Sequence, residues 1–214
     1  MFDTLTLSTE DKNRTAMYRE EIARRNLQVQ TTDMKAYLKS LKMEIDISFA
    51  DEFSIPRIAQ LTQKTNQFNL TTKRYSEDDI KILANSDQSD VIYLKLKDRF
   101  GDSGIVGVCI LRYLDNKSTF DTFLLSCRVL GRRVEDVFLA QILKFAKKRG
   151  CEVAIGEYYE TTKNSQVRDF YINRGFQEFE GNPDNGRLSF QCELNVKAES
   201  GTEYFNKINL EINK

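Results

Sequence analysis

Residues 91–127 limit the possible folds more than any other stretch. They read as three successive strands, Val91 to Phe100, Gly104 to Leu114 and Thr119 to Cys127. The turns between them carry GDSG (Gly101 to Gly104) and DNKS (Asp115 to Ser118), residues suited to tight reversals. Connections this short admit only an antiparallel meander. The period then changes. Val134 to Lys148 places Val137, Phe138, Ile142, Phe145 and Ala146 on one helical face, and Gly150 stops the helix. A strand from Cys151 to Tyr158 follows. Strand, helix and strand in that order make a crossover, so 151–158 should lie parallel to 119–127 and splay from it.

The flanks fill in the order. MEIDISFA alternates Ile45, Ile47 and Phe49 on one face, a strand signature. SIPRIAQLTQKTNQF reads as a helix capped by Ser54 with Pro56 in its first turn. SEDDIKILA opens another, with Ser76 and Asp79 spaced as a capping box. Asn164 to Asn173 reads as a helix ending at Gly175, and Phe176 to Phe179 and Leu188 to Leu194 as a closing strand pair. From Met43 the order is β-α-α-β-β-β-α-β-α-β-β, an α/β fold with a mixed sheet flanked by helices. Before it, residues 8–26 form a polar helix, and Thr32 to Leu41 a short one with Met34, Tyr37, Leu38 and Leu41 on one face. The expected division is a helical arm or linker over 1–42, a domain over 43–196 and a tail over 197–214, which is either a last strand or loose.

Composition narrows function. Lys plus Arg and Asp plus Glu both number 32, so no excess of positive charge favours nucleic acid. No apolar run approaches the ~18 residues of a membrane span, and the start MFDTLTLSTEDKNR lacks the character of a signal peptide. The 4 Cys include no CxxC pair and read as reduced thiols, which suits the cytoplasm. His is absent (0 of 214 residues), which removes Ser-His-Asp and Cys-His mechanisms and His-ligated metals. No metal site is expected, and acid–base work falls to Glu, Asp, Tyr, Lys or Cys.

Cys127 ends a strand just before a helix and stands beside Arg128, a setting that favours a thiolate nucleophile. Its other reading is a buried strand thiol, as for Cys109, Cys151 and Cys192. Glu157 ends a strand and is the best carboxylate candidate for a base, or else a solvated strand end. In TNQFNLTT, Asn66 and Asn69 could hydrogen-bond a substrate amide or hydroxyl, or simply build turns. Arg99 could reach a phosphate, or pair locally with Asp98 and Asp102.

The loop Arg128-Val-Leu130-Gly131-Arg132-Arg133 before the long helix resembles the acyl-CoA pyrophosphate loop of the GNAT superfamily of N-acetyltransferases, whose pattern is R/Q-x-x-G-x-G/A. Arg133 replaces its second small residue and should crowd the seat. NSQVRDFYINRGF resembles the later motif of that superfamily, with Asn164, Tyr171, Gly175 and Phe176 in place. The resemblance implies a GNAT-like mixed sheet, acyl-CoA or phosphopantetheine as cofactor, cofactor contacts from Arg128, Leu130, Gly131, Arg132, Arg133 and Asn164, and Tyr171 as proton donor to a departing thiolate.

A narrower resemblance covers nearly the whole chain. QLTQKTNQFNLTTKRY, KDRFGDSGIVGV, SCRVLGRRVE and TKNSQVRDFY are similar to the C-terminal, acyltransferase-like half of FkbH-like proteins, and STEDKNRTAMYREE to the segment before it. It implies glyceryl transfer to the phosphopantetheine of an acyl carrier protein in polyketide-type biosynthesis, with Cys127 holding the acyl group. Lys163 and Arg168 would meet the acidic carrier. Those proteins also carry a haloacid-dehalogenase-type phosphatase domain, a possible partner here. No DxD motif stands before residue 50, so phosphatase chemistry is not expected of this chain. The alternatives are a non-catalytic carrier-docking domain and a CoA-dependent N-acetyltransferase.

Overall fold

A computed structural model describes residues 9–179, 186–194 and 201–212, with side chains from residue 17 onward. Eight strands form one sheet: β1 (Met43–Phe49), β2 (Ser89–Asp98), β3 (Gly101–Leu114), β4 (Lys117–Leu125), β5 (Val153–Tyr159), β6 (Gln177–Glu178), β7 (Arg187–Glu193) and β8 (Phe205–Glu211). Their order across the sheet is β6-β7-β5-β4-β3-β2-β1-β8. The meander forms as read, with β2 antiparallel to β3 and β3 to β4. Its ends shift because the turn residues themselves pair: Gly101 lies opposite Asp98, and Lys117 opposite Leu114. The tail contributes β8, an edge strand parallel to β1. The expected boundary at 196/197 lies outside the described residues.

Among the described residues five helices surround the sheet: α1 (Thr9–Gln30), α2 (Met34–Ser40), α3 (Ile55–Lys64), α4 (Glu77–Ala84) and α5 (Val134–Lys148). None of the described helices is long and apolar enough to cross a membrane. Helix α5 buries Val137, Phe138, Ile142 and Phe145 against one sheet face, together with Leu94, Cys109 and Phe123. Each such side chain contributes about 1.5–3 kcal/mol. Helices α3 and α4 cover the other face through Ile58, Leu61, Ile80 and Leu83, on Val91, Val108, Ile110 and Leu124. The Ser76–Asp79 capping box forms at α4. Ser54 does not cap α3; its hydroxyl donates to the carbonyl of Asp51 at 3.0 Å instead. On α2, Met34 faces solvent, while Tyr37 and Leu38 are buried.

Strands β4 and β5 pair in parallel only from Lys117 opposite Val153 to Phe120 opposite Gly156. Beyond that point they separate and leave a slot. Residues 68–71 fill it. The Leu70 amide donates to the Phe123 carbonyl at 3.1 Å, and the Leu125 amide to the Phe68 carbonyl at 2.9 Å. On the far side the Tyr159 amide donates to the Leu70 carbonyl at 2.8 Å. Asn69, Leu70 and Thr71 are buried. A short stretch without regular structure thus satisfies the backbone groups that the splay would leave open.

The helix expected over 164–173 is absent. Two single 3-10 turns stand there, Ser165–Val167 and Ile172–Arg174. Asn164 does not cap a helix because its side chain turns inward. It accepts from the Thr161 amide at 2.8 Å and donates to the carbonyls of Tyr159 (2.9 Å) and Asn69 (3.0 Å). The turns carry Phe170 and Tyr171 into an aromatic cluster with Phe120 and Phe176.

Candidate functional site

A cleft of about 1450 Å³ opens where the ends of β4 and β5 diverge. Ligands in open α/β sheets gather at such carboxyl ends. The floor is Ser126, Cys127 and Arg128, just past β4. The end of α3 with 65–67, the start of β3, and Thr162 and Lys163 just past β5 also line the cleft. The arm helix α1 reaches the rim through Met17 and Glu20.

Cys127 is exposed in this cleft, so the buried-thiol reading fails for it. It opens a 3-10 turn, Cys127–Val129, well before α5 begins at Val134. Cys109 and Cys151 are buried as expected, and burial pushes both thiols up. Cys192 is half-exposed rather than core, because among the described residues only the two-residue β6 lies beyond its strand.

Arg57, Lys64, Arg128 and Lys163 also line the cleft. None takes part in an ion pair among the described residues. Arg57 donates to the Gln60 amide oxygen. Arg128 reaches Ser126 Oγ at 3.3 Å and Met17 Sδ at 3.4 Å. Burial, and then the charge of Arg128, pull the Arg57 guanidinium below its ordinary value. Asn66 lines the cleft too, and its Oδ1 accepts from Arg74 at 2.5 Å. Arg57 escaped the sequence reading because nothing local distinguishes it from any solvated helix arginine.

Other expected residues lie elsewhere. Asn69 is fully buried: its Nδ2 donates to the Thr65 carbonyl at 3.2 Å and its Oδ1 accepts from the Thr72 amide at 2.9 Å. It holds the slot segment and does not face the cleft. Asn164 is equally buried and structural. Arg99 is exposed over the Phe100 ring, 5.4 Å from its centroid, outside the cleft. Its expected partner Asp98 is occupied from afar: Arg24 Nε donates to Asp98 Oδ2 at 2.7 Å and Arg132 Nη1 at 3.2 Å.

In the loop before α5 the expected cofactor-binding arginines are engaged within the chain. Arg132 is buried against Asp98 and the carbonyl of Arg128, at 3.2 Å and 2.8 Å. Leu130 packs on the core. Gly131 has φ +77°, and nothing approaches its Cα closely, so its role is the turn. Arg133, at φ +61°, leans on Asp136 at 3.1 Å. The first turn of α5 carries Glu135 and Asp136, whose charges already face the helix N-terminus. Burial raises the Glu135 carboxyl.

Tyr171 is fully buried beneath Gly156, and its hydroxyl has no hydrogen-bond partner among the described residues. A Cβ at position 156 would stand 2.5 Å from the Tyr171 ring, so only glycine fits. Burial pushes the Tyr171 hydroxyl far above its ordinary value, and it does not line the cleft. Glu157 is half-exposed on the sheet face that also carries Asp121. It accepts from the Tyr159 hydroxyl at 2.9 Å and lies 3.6 Å from Lys73. Asp121 gathers Lys73 at 2.9 Å, Arg112 at 3.0 Å and the Tyr75 hydroxyl at 2.5 Å. This cluster was invisible in sequence because Asp121 sits at a bulge in β4. Among the described residues no group of Cys, Asp and Glu is arranged to hold a metal.

A mixed sheet opened between two parallel strands, with a helix crossing from one to the other, defines the class. No protein family and no curated protein matches the sequence. Solved structures match by fold. The ribosomal-protein-S18-alanine N-acetyltransferase of Escherichia coli aligns at TM-score 0.53 and 13% identity, over 70% of this chain and 94% of its own. The GNAT domain of S. lividans PAT aligns at 0.55 and 12%, over 69% and 89%. The Salmonella typhimurium protein yncA, solved with its cofactor acetyl-CoA, aligns at 0.50 and 13%, over 70% and 94%. The fold is that of the GNAT N-acetyltransferases.

Proposed function

We propose that this chain is an acyltransferase acting on the thiol of a phosphopantetheine arm. The observation behind this reading is the cleft at the open ends of β4 and β5, which holds an exposed thiol among four cations that have no ion pair among the described residues. A ligand carrying both a thioester and a phosphate matches that combination. Cys127 Sγ attacks the acyl carbon of the donor, the donor thiolate leaves and takes a proton, and the acyl group rests on Cys127. A second pantetheine thiolate then attacks that thioester and releases Cys127. Thioester exchange is nearly balanced in free energy, so a chain without His can perform it. Asn66 is placed to bond an amide of the arm. Residues 68–71 hold the β4–β5 slot closed, so the arm lies across the cleft.

The resemblance to FkbH-like proteins supports the finer reading: a glyceryl group, an acyl carrier protein docked near Lys163 and Arg168, polyketide-type biosynthesis, and a phosphatase domain as partner. A second reading, CoA-dependent N-acetyl transfer, is favoured by the fold neighbours, one of which holds acetyl-CoA. The Arg132 and Arg133 side chains, paired with Asp98 and Asp136, weigh against it.

The test is intact-mass spectrometry after incubation with acyl-pantetheine thioesters and acyl-CoA, with and without a carrier protein. A mass gain mapped to Cys127, passed on to the carrier and absent in Cys127→Ser, is expected. Full transfer by Cys127→Ser would exclude the covalent route. No gain and no transfer would leave a docking module.

A further inference from the structure

The four cations of the cleft are not equivalent. Lys64 and Lys163 are exposed, free to be solvated on long stems. Arg57 on α3 and Arg128 past β4 both line this one space, and the charge of Arg128 disfavours that of Arg57. The two carboxylates at the rim are committed elsewhere. Glu20 Oε2 pairs with Arg24 at 3.3 Å, and Asp102 Oδ1 accepts from the Gly104 amide at 2.7 Å. Two guanidiniums on a shared space, neither in an ion pair among the described residues, are held at an electrostatic cost that an anion placed between them would recover. Their planar donor forks suit an anion with several oxygens in one plane or tetrahedron.

We infer that Arg57 and Arg128 form a phosphate seat in the cleft, displaced from the N-terminus of α5, where Glu135 and Asp136 stand. The ligand class is a phosphate ester attached to a thiol-bearing arm. The inference rests on the reading of this cleft as the acyl-transfer site, and it adds where the arm's phosphate is gripped.

The experiment is calorimetric titration of the full chain with pantetheine, 4′-phosphopantetheine, inorganic pyrophosphate and CoA. The proteins are wild type, Arg57→Gln, Arg128→Gln, Arg128→Lys and Arg133→Gln, each checked by thermal unfolding. Phosphopantetheine should bind at least about tenfold more tightly than pantetheine, since two charge-assisted contacts are added. Arg57→Gln and Arg128→Gln should each remove most of that advantage. Arg128→Lys should keep part of it, and Arg133→Gln all of it. Pyrophosphate and CoA compared with phosphopantetheine distinguish a diphosphate from a single phosphate as the group seated; tighter binding of either, lost in the same two variants, supports the seat. Equal binding of pantetheine and phosphopantetheine by wild type would overturn it. So would an advantage that survives both glutamine variants or vanishes in Arg133→Gln alone. Because binding is read without turnover, a phosphate advantage without acyl transfer would sink the acyltransferase reading and leave the seat standing. Transfer without a phosphate advantage would do the reverse.

Discussion

Replacing Tyr171 by Phe should make the protein more stable. The Tyr171 hydroxyl is buried and without a partner among the described residues, under Gly156 and among the rings of Phe120, Phe170, Phe176 and Phe190. An unsatisfied buried hydroxyl costs about 1–3 kcal/mol, and removing it recovers that cost. The atom lost leaves a space smaller than a methyl group, so a few tenths of a kcal/mol of contact go with it. The net gain should be about 1–2 kcal/mol, or roughly 2–8 °C in Tm for a domain of this size. Urea unfolding, with the slope unchanged between the two proteins, measures it. A variant no more stable than wild type would refute the reasoning, since it would mean the hydroxyl has a partner. The same variant tests chemistry. A general acid contributes about 10²–10⁴-fold, whereas a buried ring outside the cleft should leave acyl transfer within about twofold. A hundredfold fall in transfer would restore Tyr171 as the proton donor.

Two further outcomes follow from buried charge. Asp98→Asn leaves Arg24 and Arg132 buried together with only the more exposed Glu20 and Glu21 as partners, and should cost about 3 kcal/mol in chemical unfolding; a loss under about 1 kcal/mol would show the cluster to be solvated. Asp121→Asn should cost about 2–3 kcal/mol at neutral pH. Burial alone would raise the Asp121 carboxyl, but Tyr75, Lys73 and Arg112 outweigh it and hold it below its ordinary value. The stability this contributes is complete above the unfolded-chain value of about 3.9 and is lost as pH falls through the lower folded value. Unfolding curves of the two proteins should therefore converge below about pH 4, and a gap unchanged down to about pH 3 would contradict the assignment.

Where the structure follows local pattern, the sequence was readable. Helix α5 runs from Val134 to Lys148 as its periodicity indicates, because every inward position is apolar and Gly150, at φ +92°, ends it. The meander was legible for the same reason, with Gly and Asn at its turns. What escaped depends on partners far along the chain. Arg132 looks like a loop cation in sequence, yet it is consumed by Asp98, 34 positions away, which also holds Arg24 at a separation of 74. Asn164 looks like a helix cap, but its amide is spent on Asn69 across 95 positions. Of the site, Cys127, Arg128 and Asn66 were named because they flank a strand end or stand in an amide-rich loop. Arg57 was not, since only the tertiary fold brings α3 to the end of β4.

The segment between α3 and α4 has no helix or strand of its own, and such a stretch on a protein surface usually tolerates added or deleted residues at small entropic cost. This one cannot. Leu70 is tied to β4 through its amide and to β5 through its carbonyl, and Asn69 is anchored at both Thr65 and Thr72. One residue inserted anywhere in 66–72 would slip the donors and acceptors by a place and drive a polar side chain into the position of Leu70. Its length is thus as fixed as that of a central strand. A relative that lengthened it would part β4 from β5, so the spacing from Lys64 to Lys73 marks whether another chain keeps this sheet closed.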